Sequence, residues 1–289
     1  MKLVHTIKEL RDSTAPVRQS GVGIGLVPTM GALHEGHLAL IRRAKEQCGF
    51  VGVCVFVNPT QFGPAEDFSR YPRTLPDDVR ACEQAGADIV FAPDVDEMYP
   101  PGFSATVDVG GVSRLLEGLH RPGHFNGVTT VCLKLFNIFQ ADRAYFGQKD
   151  YQQLQVIKQL VRDLNIPIEI VPVGIVREPD GLAMSSRNRY LNPEERRAAL
   201  VLRDALEAAL STYRNGQIET EALEREMSAV IAAQPLASID YAVVVDAETL
   251  QHMDRINRPA AALLAVRIGA TRLIDNCLIT QEMPNIVKL

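Results

Sequence analysis

The chain has 289 residues, 46% of them apolar, and a formal net charge of −5 with a pI near 5.7. That length and apolar share can fill two modest cores, while the acidic balance excludes a general binder of nucleic acid or of anionic membranes, which would be repelled by its partner. The longest apolar runs fall short of the roughly 20 residues that span a bilayer, no leader-like segment precedes the first strand, and five scattered cysteines (48, 54, 82, 132 and 277) read as reduced and buried, so a soluble cytoplasmic protein with no membrane or nucleic-acid partner is expected.

Residues 2–13 read as a short amphipathic surface helix and 12–19 as a linker. Gly21 to Val27 alternates glycine with Val, Ile and Leu, which suits a buried strand crowded by its neighbours. Pro28-Thr29-Met30-Gly31-Ala32-Leu33-His34-Glu35-Gly36-His37 follows, and then Leu38, Ile41, Ala44 or Lys45, and Cys48 at helical spacing, so a helix is predicted to open at His34 to His37. Open N–H groups, the positive end of the dipole, room beside Gly31 and Gly36 and two imidazole donors suit the phosphates of a nucleotide. Taken alone, a His-x-x-His pair fits an incidental pair or half a metal site equally well, but no Cys-x-x-Cys pair completes a zinc set. The strand, turn and helix opening on His-Glu-Gly-His resembles the signature of the nucleotidyltransferase superfamily.

Phe50 to Val57 is apolar on both faces, as a central parallel strand requires, and runs into Asn58-Pro59-Thr60-Gln61. Ligands of open α/β sheets bind beyond the carboxyl ends of strands, which places Asn58 and Gln61 near a substrate; an ordinary polar turn is the alternative. Thr74 is read as the N-cap of a helix with Asp77 in its first turn, and Asp77 and Asp78 are the candidates for holding magnesium through its waters. Ala87 to Ala92 is a third strand and 94–103 a surface loop. Arg121 and His124, opening a helix striped by Val128, Val131, Cys132, Leu135 and Phe139, fit either a cover over an anion or a solvated turn.

Ala144 to Phe146 is a strand ending at Gly147-Gln148-Lys149-Asp150, after which Leu154, Ile157, Val161 and Leu164 mark a helix. A lysine at a helix N-terminus is unfavourable unless an anion compensates, so Lys149 points to phosphate contact, with Asp150 as N-cap. Ile168 to Val176 is a further strand. Residues 177–191, with Gly181, Ser185, Ser186 and Arg187, form the expected domain boundary and a mobile loop able to close over a triphosphate. Helices at 193–214 and 219–233 and strands at 241–245, 263–267 and 271–276 predict a small antiparallel sheet. The fold class expected is α/β, a parallel-sheet domain over 1–178 followed by a smaller α+β domain over 179–289.

With these motifs in place, and with Tyr-Pro-Arg-Thr, Arg-Pro-Gly-His-Phe, Gly-Gln-Lys-Asp-Tyr-Gln-Gln-Leu and Met-Ser-Ser-Arg-Asn in the same order, the chain closely resembles the pantoate–β-alanine ligase family over nearly its whole length. The resemblance implies a Rossmann-like first domain, a smaller second domain that acts as a lid, a homodimer, and a reaction in which ATP and pantoate give pantoyl adenylate before the amine of β-alanine displaces AMP. It implies that Pro28 to His37 hold ATP, with His37 as proton donor and His34 and Lys149 beside it at the phosphates. Gly147, Gln148, Lys149, Asp150 and Val176 would contact the nucleotide, and Met184, Ser185, Ser186 and Arg187 would form the phosphate loop. Gln61 and Gln153 would hydrogen-bond pantoate, and Asn58 with Gln61 would admit β-alanine. Gln148 stands where some relatives carry glutamate. Magnesium would accompany the triphosphate, with Asp77 or Asp78 as its candidate ligands. The rival readings are a nucleotidyltransferase that stops after nucleotide transfer, against which Asn58, Gln61 and Gln153 speak, and a regulatory protein without catalysis, in which His37, Lys149 or the serine pair would be replaced.

Overall fold

Consecutive runs that are apolar on both faces require a sheet covered on both sides, and the computed structural model, which describes residues 1–64 and 66–280, contains one. By internal contacts the chain forms two units, 1–148 with 152–173, and 149–151 with the chain from Gly174 onward. The stretch 281–289 of the expected second domain lies outside the described residues.

In the first unit, β1 (Lys2–Val4), β2 (Ile24–Thr29), β3 (Phe50–Val55), β4 (Ile89–Phe91), β5 (Arg143–Gly147) and β6 (Glu169–Val173) pair in parallel in the order β1-β4-β3-β2-β5-β6. Strand order reverses at β2, which has β3 on one side and β5 on the other. Thr29 lies level with Val55, and Gly147 follows Ala144 by three residues as Thr29 follows Leu26, its partner. The carboxyl ends of these three central strands therefore meet at one sheet edge, the place where such folds bind ligands.

The two faces are covered by different helices. Val51 and Val53 share a core with Leu40, Ile41 and Ala44 of the helix Glu35–Gln47. Gly52 points the other way, toward Phe139 of the helix His124–Phe139. Gly25 in β2 is crowded by side chains rather than by backbone: a Cβ there would lie 3.1 Å from the Cys48 sulfur and 3.2 Å from the Tyr145 ring. All five cysteines are free and buried, and burial pushes the Cys82 and Cys132 thiols up to about 12.

Two expectations are corrected here. Residues 2–4 form an edge strand, and the first helix runs Ile7–Gln19, through the expected linker. Its start is set by a capping box, in which the Thr6 hydroxyl accepts from Glu9 N–H at 3.2 Å and the Glu9 carboxylate accepts from Thr6 N–H at 3.0 Å. The expected surface loop at 94–103 instead buries Met98 fully beneath a short helix, Val95–Met98.

The second unit carries the antiparallel sheet β7 (Ala237–Asp246), β8 (Ala260–Ile268) and β9 (Thr271–Ile279), packed on the helices Val201–Arg214 and Thr220–Ala232. The expected single helix at 193–214 is two, the first being Pro193–Ala198. Arg177 and Asp275, both buried, form a two-bond ion pair at 2.6 and 3.0 Å, which ties the start of the 177–191 segment to β9.

Gly52 yields a direct test of the packed sheet. An added Cβ would stand 2.4 Å from the Phe139 ring and 3.3 Å from Ile89, so Gly52→Ala is expected to cost about 1–3 kcal/mol in unfolding free energy by overpacking. A denaturation midpoint unchanged from the parent would refute that packing.

Candidate functional site

The turn after β2 is built around Asp78. Its two carboxylate oxygens accept from Ala32 N–H at 3.1 Å and Leu33 N–H at 2.8 Å, while Gly31 N–H reaches the Thr29 hydroxyl at 3.3 Å. Gly31 has φ +83° and Ala32 φ +52°, a left-handed pair that a free loop would seldom hold and that these bonds secure. The Thr74 hydroxyl donates to Asp78 at 3.2 Å instead of capping its helix, Leu75–Gln84. Asp78 is 2% exposed with both oxygens engaged, and Asp77 is exposed and paired with Arg80. Both oxygens of Asp78 are spent on shaping the turn, while Asp77 stays on the surface; the described residues contain no cluster of three or more His, Cys, Asp or Glu able to hold a metal.

His34 is the N-cap of the helix Glu35–Gln47 and accepts at Nδ1 from Gly36 N–H at 3.2 Å. His37 accepts at Nδ1 from His34 N–H at 3.3 Å, and the two rings lie 4.1 Å apart between centroids. A neutral imidazole that accepts at Nδ1 carries its proton on Nε2, so the hydrogen-bond pattern sets the same tautomer in both rings. The expected open N–H groups of this turn are thus largely engaged inside it.

Beyond β3, Asn58 is 1% exposed and caps the short 3-10 helix Pro59–Gln61. Its Oδ1 accepts from the Thr60 hydroxyl at 2.9 Å, Thr60 N–H at 3.3 Å and the Tyr99 hydroxyl at 2.9 Å. Its Nδ2 donates to Gln61 Oε1 at 2.9 Å and to the Gly127 carbonyl at 3.1 Å. Gly127 has no room for a side chain, because a Cβ would lie 2.2 Å from the Thr60 carbonyl oxygen. The carbonyl of Gln61 accepts from His124 Nδ1 at 2.8 Å and from Arg121 at 3.4 Å; Arg121 also donates to His124 Nε2 at 3.0 Å and to Glu66 at 2.6 and 2.8 Å. Burial, with the Arg121 charge beside it, depresses the His124 pKa from 6.5 to about 4; burial is also the largest single influence on Glu66 and opposes its ionisation, but the hydrogen bonds and charge of Arg121, with the Gly63 backbone and His124, together outweigh it, so that carboxyl lies below its usual range. The solvated-turn alternative for Arg121 and His124 gives way to this network. His120 stands four residues before His124, the spacing of a metal pair, but both His124 nitrogens are already engaged.

Two adjacent glutamines of the helix Tyr151–Asp163 differ in their partners. Gln152 is buried and clamps residues 112–117, accepting from Glu117 N–H at 2.9 Å and donating to the carbonyls of Val112 and Leu115 at 2.7 Å each. Gln153 is half-buried and its carboxamide makes no hydrogen bond among the described residues. Gly147 and Gln148 close β5, with Gln148 N–H donating to Val173 O at 2.8 Å.

In the second unit, the Lys149 carbonyl accepts from Asn276 Nδ2 at 2.8 Å, and Asp150 immediately precedes the helix Tyr151–Asp163. The 177–191 segment is more regular than the loop expected. Arg177 bridges Ala183, Met184 N–H donates to Val176 O at 3.0 Å, and Ser186–Tyr190 is a 3-10 helix capped by the Ser185 hydroxyl on Arg187 N–H at 3.3 Å. Met184, Ser185, Ser186 and Arg187 are all half-buried. The sequence carried no signal for Tyr99, nor for the turn-supporting role of Asp78; both roles arise from contacts 41 and 46 residues away in the chain.

Comparison with known proteins agrees with this arrangement. The family model for pantoate-beta-alanine ligase matches residues 2–278. The pantothenate synthetase of Roseiflexus castenholzii is 57% identical over 96% of this chain and 99% of its own, and that of Moorella thermoacetica 55% over 96% and 98%. The crystal structure of pantothenate synthetase from Thermus thermophilus superposes with a TM-score of 0.90 at 47% identity, covering 96% of this chain and 98% of that one. A structure of pantoate-beta-alanine ligase from Francisella tularensis, complexed with beta-gamma ATP and beta-alanine, has a TM-score of 0.77 at 34% identity and covers 98% of both chains. On sequence, fold and the geometry of its sheet-edge motifs, the chain belongs to the pantoate–beta-alanine ligase family.

Proposed function

We propose that this ligase makes pantothenate by condensing pantoate with β-alanine through pantoyl adenylate, with the residues assembled above in the roles that follow. A carboxylate resists attack by an amine, so one of its oxygens first attacks the α-phosphorus of ATP, the bond to the bridging oxygen breaks, and pyrophosphate leaves. The amine of β-alanine then attacks the acyl carbon, AMP departs with the bonding electrons, and the amine proton passes to solvent. No enzyme nucleophile is needed; positioning and charge stabilisation supply the rate. The observation that carries this reading is that His34 and His37 each accept a backbone N–H at Nδ1, which in a neutral ring puts the proton on Nε2; both imidazoles are assigned to donate to the phosphates as charge builds. Gln61 and Gln153 hold pantoate, and Asn58 belongs to the same pocket. Pro28 to His37, Gly147 to Asp150 and Val176 meet the nucleotide. Lys149 and Met184 to Arg187 meet its phosphates. Magnesium bound with the triphosphate would offset its charge. A homodimer in the cytoplasm completes the proposal; among the described residues no helix is long and apolar enough to cross a membrane.

The decisive experiment is exchange of labelled pyrophosphate into ATP. Enzyme, ATP, magnesium and pantoate should support it without β-alanine, and the complete reaction should yield AMP. Formation of ADP, or exchange that waits for β-alanine, would overturn the adenylate route. In the same assay His37→Asn keeps an acceptor for His34 N–H but lacks the imidazole donor, and should exchange about 10²–10³-fold more slowly with ATP affinity little changed. Equal losses in both would remove His37 from the transition state. Sedimentation should give twice the 31.8 kDa chain mass; a monomer at micromolar concentration would contradict the dimer.

His124 sets a pH dependence. Its folded pKa lies below the unfolded value, so as pH falls from about 6.5 the unfolded chain takes up the proton first and stability declines, levelling off below about 4. The stability advantage of the parent over His124→Asn should therefore shrink across that window, by roughly 3 kcal/mol at its limit. A difference between the two that stays constant from pH 7 to pH 4 would show that His124 is not held neutral.

A further inference from the structure

Asn58 was expected to touch substrate, but its hydrogen-bonding capacity is spent. Both Nδ2 protons are donated, to Gln61 Oε1 and the Gly127 carbonyl, and Oδ1 takes three donors. A carboxamide has two N–H donors and one oxygen with two lone pairs, so nothing remains for a ligand, and the residue is 1% exposed. Its orientation is also fixed. Thr60 N–H can only donate and the Gly127 carbonyl can only accept, so turning the amide over would set like against like at both. The hydroxyls of Thr60 and Tyr99 add to the same side.

That orientation propagates. Because Asn58 presents N–H to Gln61, the oxygen of the Gln61 amide must face Asn58 and its Nε2 must face away. Gln61 Nε2 has no partner among the described residues. The backbone of Gln61 is held independently, through its carbonyl, by His124 and Arg121.

We propose that Asn58 and Tyr99 are positioning residues that act through Gln61, fixing its amide so that it meets the hydroxy acid as an N–H donor only. The acceptor it selects is an oxygen of that acid, the carboxylate or a hydroxyl lone pair. This rests on the assignment of Gln61 to pantoate made above. Tyr99 reaches Asn58 from outside every motif of the sequence, at the end of the short helix Val95–Met98.

A double-mutant cycle tests it. Gln61→Glu keeps an oxygen for Asn58 Nδ2 but removes the outward N–H, and Tyr99→Phe removes only the hydroxyl. The Michaelis constant for pantoate is read from pyrophosphate exchange, or its dissociation constant by calorimetry where Gln61→Glu exchanges too slowly. Tyr99→Phe in the parent should weaken pantoate about 2- to 10-fold, the worth of one net hydrogen bond, with the ATP constant unchanged. In the Gln61→Glu background it should do nothing further to pantoate, because no N–H is left to orient. Thr60→Val provides a second probe with the same expectation. An equal fold-change in both backgrounds, a parallel rise in the ATP constant, or a Gln61→Glu enzyme with unaltered pantoate affinity would overturn the inference alone. Absence of any pantoate-dependent exchange in the parent would overturn the assignment of function as well, so the two failures are distinguishable.

Discussion

The parallel pairing of β2 with β3 on one side and β5 on the other is the constraint from which the sheet-edge motifs take their positions. Because all three strands run the same way and in near register, the segments that leave them emerge at one edge, although His34, Asn58 and Gly147 are far apart in the chain. Such a sheet exists only if both of its faces are dry, so the apolar alternation of β3 and the glycines of β2 and β3 serve the site as much as the core. At Gly52 the Phe139 side chain of a covering helix lies where a Cβ would stand, and at Gly25 the space is taken by Cys48 and by Tyr145 of β5.

At that edge the polar groups are mostly committed to one another. Asp78 holds the left-handed turn, the histidines cap one another's segment, and Asn58 is saturated. A buried polar group left unmatched costs about 1–3 kcal/mol, so a network closed in this way has few arrangements open to it. Among the described residues, what the network leaves unused of its carboxamides is the outward N–H of Gln61 and the amide of Gln153, the groups that the proposed function assigns to the hydroxy acid. Catalysis by preorganised donors needs that condition, since a donor that must first reorient loses part of its effect.

The second unit uses a different device. Arg177 and Asp275 are both buried, and their paired bonds give a fixed angle as well as a contact. The Gly181 turn and the 3-10 helix that follow are strung between this pair and the Arg196 contacts to Glu178 and Asp180. The serine–arginine segment is thereby mounted on a frame, more ordered than its glycine and polar composition implied.

Residue types and their order in the chain already determined the parallel α/β sheet, the small antiparallel sheet, the strand, turn and helix around His34 to His37, and the family. These features rest on local rules: alternation, helical spacing, capping, and short runs whose meaning does not depend on distant residues. Tertiary structure decided the rest. It drew residues 2–4 into the sheet as an edge strand by pairing with β4, made Asp78 the support of a loop, and spent the carboxamide of Gln152 within the fold. It also bound Tyr99 and His124 to the Asn58–Gln61 segment. In each case the deciding hydrogen bond joins residues separated by tens of positions, and whether a polar side chain serves the protein or a ligand depends on which of its donors and acceptors those distant partners have already taken.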